Sequence, residues 1–308
     1  MKIAIIGAGA MGCLYGGYLS EKNEVIMIDS YSPQVEALNN NGITIEKING
    51  SLEVYKNITA YTSGNFNGCV DLVIVFVKSN YTKEALEANK HIFDKNTLVM
   101  TLQNGAGNDK KIANHVAKEN IIIGTSTHNA INKGNGIVFH SAEGGMTTIG
   151  SNYHQDEKLE RIQALFNDIN FNVTVSDDIQ RIIWSKLFVN LSINTFTALI
   201  ETPIGYMIQN KSAWDFAKRL IYEAVEVAEA DGTYFDRREA LESVKKVCIA
   251  AGNGYSSMYQ DRQRRIATEI DAINGAIVEQ AKQYGVPTPY NAIIVDLIHA
   301  VEGAYNIK

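Results

Sequence analysis

The sequence predicts an α/β protein: a doubly wound parallel sheet in its N-terminal part, followed by an all-helical C-terminal domain. Three observations predict it. A short apolar stretch, residues 3–6, runs straight into Gly7-Ala8-Gly9-Ala10-Met11-Gly12. Continuous apolar runs then alternate with helical patterns through the first half of the 308 residues, as strands and crossover helices of a parallel sheet do. From Asp177 onward the pattern is almost wholly helical, so the expected domains are residues 1–176 and 177–308.

The first strand is followed by a helix to about Leu19 and a second strand at 25–28 that ends in Asp29. This is the opening βαβ unit of a Rossmann-type dinucleotide-binding domain. Gly7 permits the tight turn, Gly9 lets a pyrophosphate approach the backbone, and Gly12 lets the helix pack on the strand. Free N–H groups and the dipole at the helix start favour the anion. A glycine turn that binds nothing leaves the spacing of the three glycines unexplained. A helix at 33–39 and short polar strands within 43–54 come next. The run Asp71-Leu-Val-Ile-Val-Phe-Val77 reads as a strand buried on both faces, as do 97–102 and 121–123. Helices are expected at 82–93 and 108–116, and hairpin-like strands at 134–150 close the domain. Ser176-Asp177-Asp178 supplies a helix cap and first-turn acids for the helical part.

Composition narrows the function classes. With 45% hydrophobic and 20% charged residues the chain reads as a soluble globular protein. A net charge of -6 and the lack of a long basic run argue against a nucleic-acid partner. No membrane span and no signal peptide are expected, and the scattered Cys13, Cys69 and Cys248 suit the reducing cytoplasm, with Cys13 a packing residue. The six histidines, His91, His115, His128, His140, His154 and His299, show no metal-ligand spacing, so no metal is expected.

Ligands of such a sheet sit beyond the carboxyl ends of the strands, where Lys78 follows one buried run and Gln103-Asn104-Gly105 another. In the apolar helix at 179–200, Lys186, Asn190 and Asn194 recur every four residues on one face. A solvated polar stripe would show the same spacing. In an apolar setting, however, burial lowers a lysine pKa towards the range useful for proton transfer. Further on, Ile266, Ile270, Ile273 and Ile277 form a helical stripe with Glu269 on its shoulder, facing either a cleft or an ion pair with Arg265.

Together these residues resemble the ketopantoate reductase (2-dehydropantoate 2-reductase) family over nearly the whole chain. The anchors are the glycine turn, Lys78, Gln103-Asn104-Gly105, Lys186 with Asn190 and Asn194, Ser256-Ser257-Met258, and Thr268-Glu269-Ile270-Asp271. The resemblance implies an active site in the cleft between the two domains. It also implies reduction of 2-dehydropantoate to (R)-pantoate with a nicotinamide cofactor, a step towards pantothenate and coenzyme A. Lys186 would then be the general acid, with Glu269 orienting it or binding the substrate hydroxyl. Asn190 and Asn194 would hold substrate hydroxyl and carbonyl groups, Ser257 the carboxylate, while Lys78 and Asn104 would line the cofactor side.

One feature departs from the family habit of NADP(H) use: no Lys or Arg occurs from Asn23 through Glu46, and Asp29 ends the second strand. An acid there accepts from ribose hydroxyls and repels a 2'-phosphate, so NAD(H) is the expected cofactor. The resemblance implies a small 2-oxo acid as substrate. The alternative activity is NADH-dependent reduction of other branched or aromatic 2-oxo acids to D-2-hydroxy acids. A catalytically inactive dinucleotide-binding sensor is the alternative of another class. The apolar surface of the helical part suits either a homodimer or its own internal core.

Overall fold

The computed structural model describes residues 1–153, 156–169 and 171–306, so His154 lies outside the described residues. The chain divides into two compact units, residues 1–103 with 107–179, and residues 104–106 with 180–308.

The first unit opens with β1 (Lys2–Ile6), α1 (Ala10–Leu19), β2 (Glu24–Asp29), α2 (Ser32–Asn41), β3 (Ile43–Glu46), β4 (Leu52–Tyr55) and β5 (Ile58–Thr62). It continues with β6 (Leu72–Val75), α3 (Thr82–Ala88), β7 (Leu98–Thr101), α4 (Asn108–Ile112), β8 (Ile121–Ser126), β9 (Ala130–Gly134), β10 (Ile137–His140), β11 (Thr147–Gly150), α5 (Asp156–Asn167) and β12 (Val173–Val175). The main sheet has the order β12-β11-β8-β7-β6-β1-β2-β5. Its pairings from β8 through β5 are parallel, and β11 runs antiparallel to β8. β1, β6 and β7 are buried almost throughout, which is why their sequences read as unbroken apolar runs.

Three local readings change. β5 was hidden in the sequence by its polar composition, yet it extends the sheet beyond β2. The hairpin β9–β10 joins β3 and β4 in a second sheet, β4-β3-β10-β9, instead of closing the main one. α1 packs between the two sheets: a β-carbon on Gly16 would meet Met27 of β2, and one on Gly17 would meet Ile45 of β3. That position explains a helix buried from Gly12 to Leu19. The helix expected at 82–93 stops at Ala88 because the buried Asn89 turns its amide back onto the Ala85 carbonyl (2.8 Å) and Ser63 Oγ (3.0 Å).

The second unit is built on α6 (Ile179–Val189), a π turn at Asn190–Asn194 and α7 (Thr195–Ile200), which together form one continuous helix. Around it pack α8 (Tyr206–Gln209), α9 (Lys211–Ala230), α10 (Arg237–Ala250), α11 (Ser257–Gln263), α12 (Ile270–Tyr284) and α13 (Pro289–Gly303). Trp184, Leu187, Phe188, Leu191, Leu220, Ile221, Ile273 and Ile294 lie in its core. Residues 179–200 reach the length and hydropathy of a candidate membrane span, yet 61% of that window is buried, as in the core helix of a folded domain.

Candidate active site

In the first unit the glycine turn is fixed by its neighbours. Gly7 has φ +101°, and a β-carbon there would lie 2.5 Å from the Val77 nitrogen. A β-carbon on Gly12 would lie 1.9 Å from the Gly7 carbonyl oxygen, whereas one on Gly9 meets nothing within 4 Å. So Gly7 and Gly12 are required by the fold, while Gly9 keeps open space. Cys13 N–H donates to the Gly9 carbonyl (2.8 Å), starting α1. The N-cap residue Gly9 brings no side chain to cap α1, which suits the N-terminal amides of Ala10, Met11 and Gly12 to an anion.

Asp29 braces this turn. Its Oδ2 accepts from Ala8 N–H (2.7 Å) and its Oδ1 from Tyr31 N–H (2.9 Å). A carboxylate has lone pairs to spare after two such bonds. Gln34, which the sequence reading passed over, donates Nε2 to the Ala8 carbonyl (2.7 Å) and accepts from Gly136 N–H (2.9 Å). A lone glutamine on a polar helix carries no signal of that role. Gly7, Gly9, Asp29, Ser30, Ser63, Lys78 and Glu84 line a cavity of about 510 Å³. That volume lies within the range of small-molecule and cofactor sites. The open cradle at Gly9, the uncapped helix start and the adjoining cavity fit a dinucleotide. Cys13 is packing, as expected: burial pushes its thiol up to about 12.

In the second unit Lys186, Asn190 and Asn194 fall on one helix face, and the solvated-stripe reading is excluded. Both asparagines are only 8% exposed, Lys186 is half-buried, and Asn194 Nδ2 donates to Asn190 Oδ1 (3.2 Å). Burial pushes the Lys186 ammonium down from 10.5 to about 8, while the Glu269 carboxylate opposes the shift by favouring the charged form. A strict four-residue spacing drifts about 40° per step on an α-helix of 3.6 residues per turn. The wider i→i+5 turn at 190–194 holds more residues per turn, which opposes that drift and keeps Asn194 in line with Lys186.

Glu269 departs from expectation. α12 begins at Ile270, so Glu269 occupies the N-cap position instead of a helix shoulder, and Ile266 lies before the helix, 43% exposed. Its carboxylate does not cap the helix; Oε2 accepts from Asn104 Nδ2 (3.1 Å). Asn104, expected on the cofactor side, belongs with Gly105 and Ala106 to the helical unit. Gln103 is a brace, donating to the Val77 carbonyl (2.6 Å) and Thr82 Oγ1 (2.9 Å). Ser257 is exposed at the first position of α11. Ser256 is buried, caps α11 by accepting from Tyr259 N–H (3.2 Å), and lies 3.0 Å from Thr197 Oγ1. Among the described residues, no group of three or more His, Cys, Asp or Glu is arranged to hold a metal.

Two family profiles cover this chain: "Ketopantoate reductase PanE/ApbA" over residues 3–153 and "Ketopantoate reductase PanE/ApbA C terminal" over residues 178–302. The chain belongs to the ketopantoate reductase family. Within the family it is 30% identical to a 2-dehydropantoate 2-reductase of Streptococcus pyogenes over the full length of both proteins. It is 33% identical to that of Pyrococcus abyssi over 98% of each. Among solved structures it resembles a PanE/ApbA family ketopantoate reductase from Ralstonia eutropha (TM-score 0.88, 28% identity, 99% of each chain). It also resembles D-mandelate dehydrogenase in a ternary complex with NADH and anilino(oxo)acetate (TM-score 0.92, 30% identity, 100% of each chain).

Proposed function

We propose that this protein is a 2-dehydropantoate 2-reductase of the cytoplasm, with the first unit as its cofactor domain and the second as its substrate domain. Family membership supports the reaction class. The observation that carries the mechanism is Lys186, held near a pKa of about 8 on a buried helix face with Asn190 and Asn194 in line.

The glycine turn, Asp29 and Lys78 would hold the dinucleotide, and a reduced nicotinamide supplies the hydride that the ketone carbon takes. Lys186 gives a proton from Nζ to the ketone oxygen, leaving a 2-hydroxy acid and a neutral amine that solvent reprotonates. Its charge also stabilises the oxyanion as it develops. Glu269 sustains the protonated amine, and the Asn104 bond holds that carboxylate in place. Asn190 and Asn194 present amides to the substrate hydroxyl and carbonyl, and Ser257 offers a hydroxyl and a helix-start amide to the carboxylate. NADH is the preferred cofactor, because both Asp29 and Glu84 line the cavity where a 2'-phosphate would add charge.

The test is the rate of NADH and NADPH oxidation with ketopantoate, 2-oxoisovalerate and an aromatic 2-oxo acid. Ketopantoate with NADH should give the highest kcat/KM. The likeness to D-mandelate dehydrogenase supports a second reading, reduction of other 2-oxo acids. Turnover of those acids without ketopantoate turnover would establish it.

A further inference from the structure

A buried polar chain runs through the helical unit to the π turn and is separate from the residues assigned to the reaction. It starts at Glu223 on α9, which is 8% exposed. Its carboxylate accepts from Tyr290 N–H (2.8 Å), Asn291 N–H (2.9 Å) and Asn291 Nδ2 (2.7 Å) at the start of α13. Asn291 is fully buried, and its Nδ2 also reaches the Leu220 carbonyl (3.2 Å). Both of its amide protons are thereby committed, so its Oδ1 must face Asn274. Asn274, fully buried on α12, donates one Nδ2 proton to Asn291 Oδ1 (2.9 Å) and the other to the Leu191 carbonyl (3.0 Å).

The orientation of each amide follows from its acceptors, starting from a carboxylate that can only accept. The far end of the chain is a carbonyl inside the π turn. There the i→i+4 ladder is broken and backbone partners shift by one residue. Hydroxyls take up neighbouring carbonyls of the same helix: Ser192 donates to Phe188 (2.6 Å), Thr195 to Leu191 and Thr197 to Ile193 (2.7 Å). Asn274 brings a donor to the Leu191 carbonyl from another helix, α12. It does so at a cost, because its own Oδ1 is buried with no partner among the described residues. An unmet buried acceptor costs roughly 1–3 kcal/mol, so such groups in native structures need a reason.

We infer that Asn274, oriented through Asn291 by Glu223, is a positioning residue that holds the 190–194 π turn and thereby keeps Asn190 and Asn194 in line with Lys186. The inference rests on the reading of those two asparagines as substrate contacts.

Three proteins test it: Asn274→Ala, Glu223→Gln, which is isosteric and lies on a helix outside the site, and the double variant. Asn274→Ala is expected to raise KM for ketopantoate at least tenfold, with KM for NADH within twofold of the native value. Amides at 190–196 should exchange hydrogen at least tenfold faster, while those of α1 keep their protection. Glu223→Gln should reproduce both effects, and the double variant should add little, because residues wired in series are not additive. Should Asn274→Ala fail to fold, Glu223→Gln carries the same expectations. Equal loss of NADH and ketopantoate binding, unchanged exchange at 190–196, or full additivity overturns the inference. The exchange measurement needs no substrate. A native protein inert on ketopantoate would therefore overturn the functional reading and leave the positioning result legible.

Discussion

Asn104 donates its amide to Glu269 Oε2 at 3.1 Å, between residues 165 positions apart in sequence. The approach depends on Gly105, whose φ is +94° and whose notional β-carbon would lie 1.9 Å from the Ala272 carbonyl oxygen. Only glycine lets this turn lie against the first turn of α12. Glu269 is thereby held at its N-cap position with its carboxylate directed away from the helix amides. That placement leaves its charge to act on Lys186, whose protonated form it favours.

The Lys186 ammonium must be present for reduction, and its pKa is pushed down to about 8. Rates of 2-oxo acid reduction should therefore be flat below that pH and fall as pH rises through it. Oxidation of the hydroxy acid should show the opposite limb. Lys186→Ala should lower kcat by roughly 10²- to 10⁴-fold, the usual worth of a general acid, with NADH binding intact. A full pH–rate profile in both directions, with cofactor titration of the variant, checks this.

Glu269→Gln keeps an acceptor for Asn104 and removes the charge that favours the protonated lysine. The alkaline limb of reduction should move to lower pH, by about one unit for roughly 1.4 kcal/mol of lost attraction. An unmoved limb would mean that Glu269 acts on the substrate alone.

The glycines separate fold from cofactor. Gly9→Ala meets nothing within 4 Å, so its melting temperature should match the native one while NADH affinity falls. Gly12→Ala places a methyl 1.9 Å from the Gly7 carbonyl oxygen, so it should lose stability whether or not cofactor is present. Calorimetry with and without NADH distinguishes the two.

Asp29→Asn replaces one acceptor oxygen by a donor facing Ala8 or Tyr31 N–H. Losing a hydrogen bond to a charged group costs about 1.5–3 kcal/mol. NADH kcat/KM should fall about tenfold, while the NADPH-to-NADH ratio rises because repulsion of a 2'-phosphate is relieved. Steady-state kinetics with both cofactors reads both effects.

The first unit also carries a proton-ordered chain away from the glycine turn. Lys47 Nζ donates to Tyr18 OH (2.6 Å), so the Tyr18 proton goes to His140 Nδ1 (3.1 Å). His140 Nε2 then donates to His128 Nδ1 (3.2 Å). Burial pushes His128 down to about 4 and lowers His140 too. Below the usual histidine range the unfolded chain binds protons that the folded chain refuses. Stability from these groups is thus complete above about pH 6.5 and lost as pH falls towards 4. Each histidine contributes at most about 1.4 kcal/mol per pH unit. Urea midpoints at pH 7 and pH 5 should diverge less in His128→Gln than in the native protein.

The sequence by itself determined what local spacing can encode. Three glycines after an apolar strand, unbroken runs at the strands buried on both faces, and a helix apolar on most sides led directly to the sheet, the turn and the helical unit. Lys186, Asn190 and Asn194 were legible because four-residue spacing is a property of one helix. Tertiary structure alone decided the rest. It made Glu269 an N-cap rather than a shoulder residue, because the stripe of isoleucines continues past the true helix start. The β9–β10 hairpin went to the second sheet because strand pairing is chosen across the fold. Asn104 was matched to Glu269, and Asn274 to a carbonyl 83 residues away, by hydrogen bonds with no periodicity to reveal them. Local pattern reports which face of an element is apolar; which polar group meets which is settled only when the elements pack.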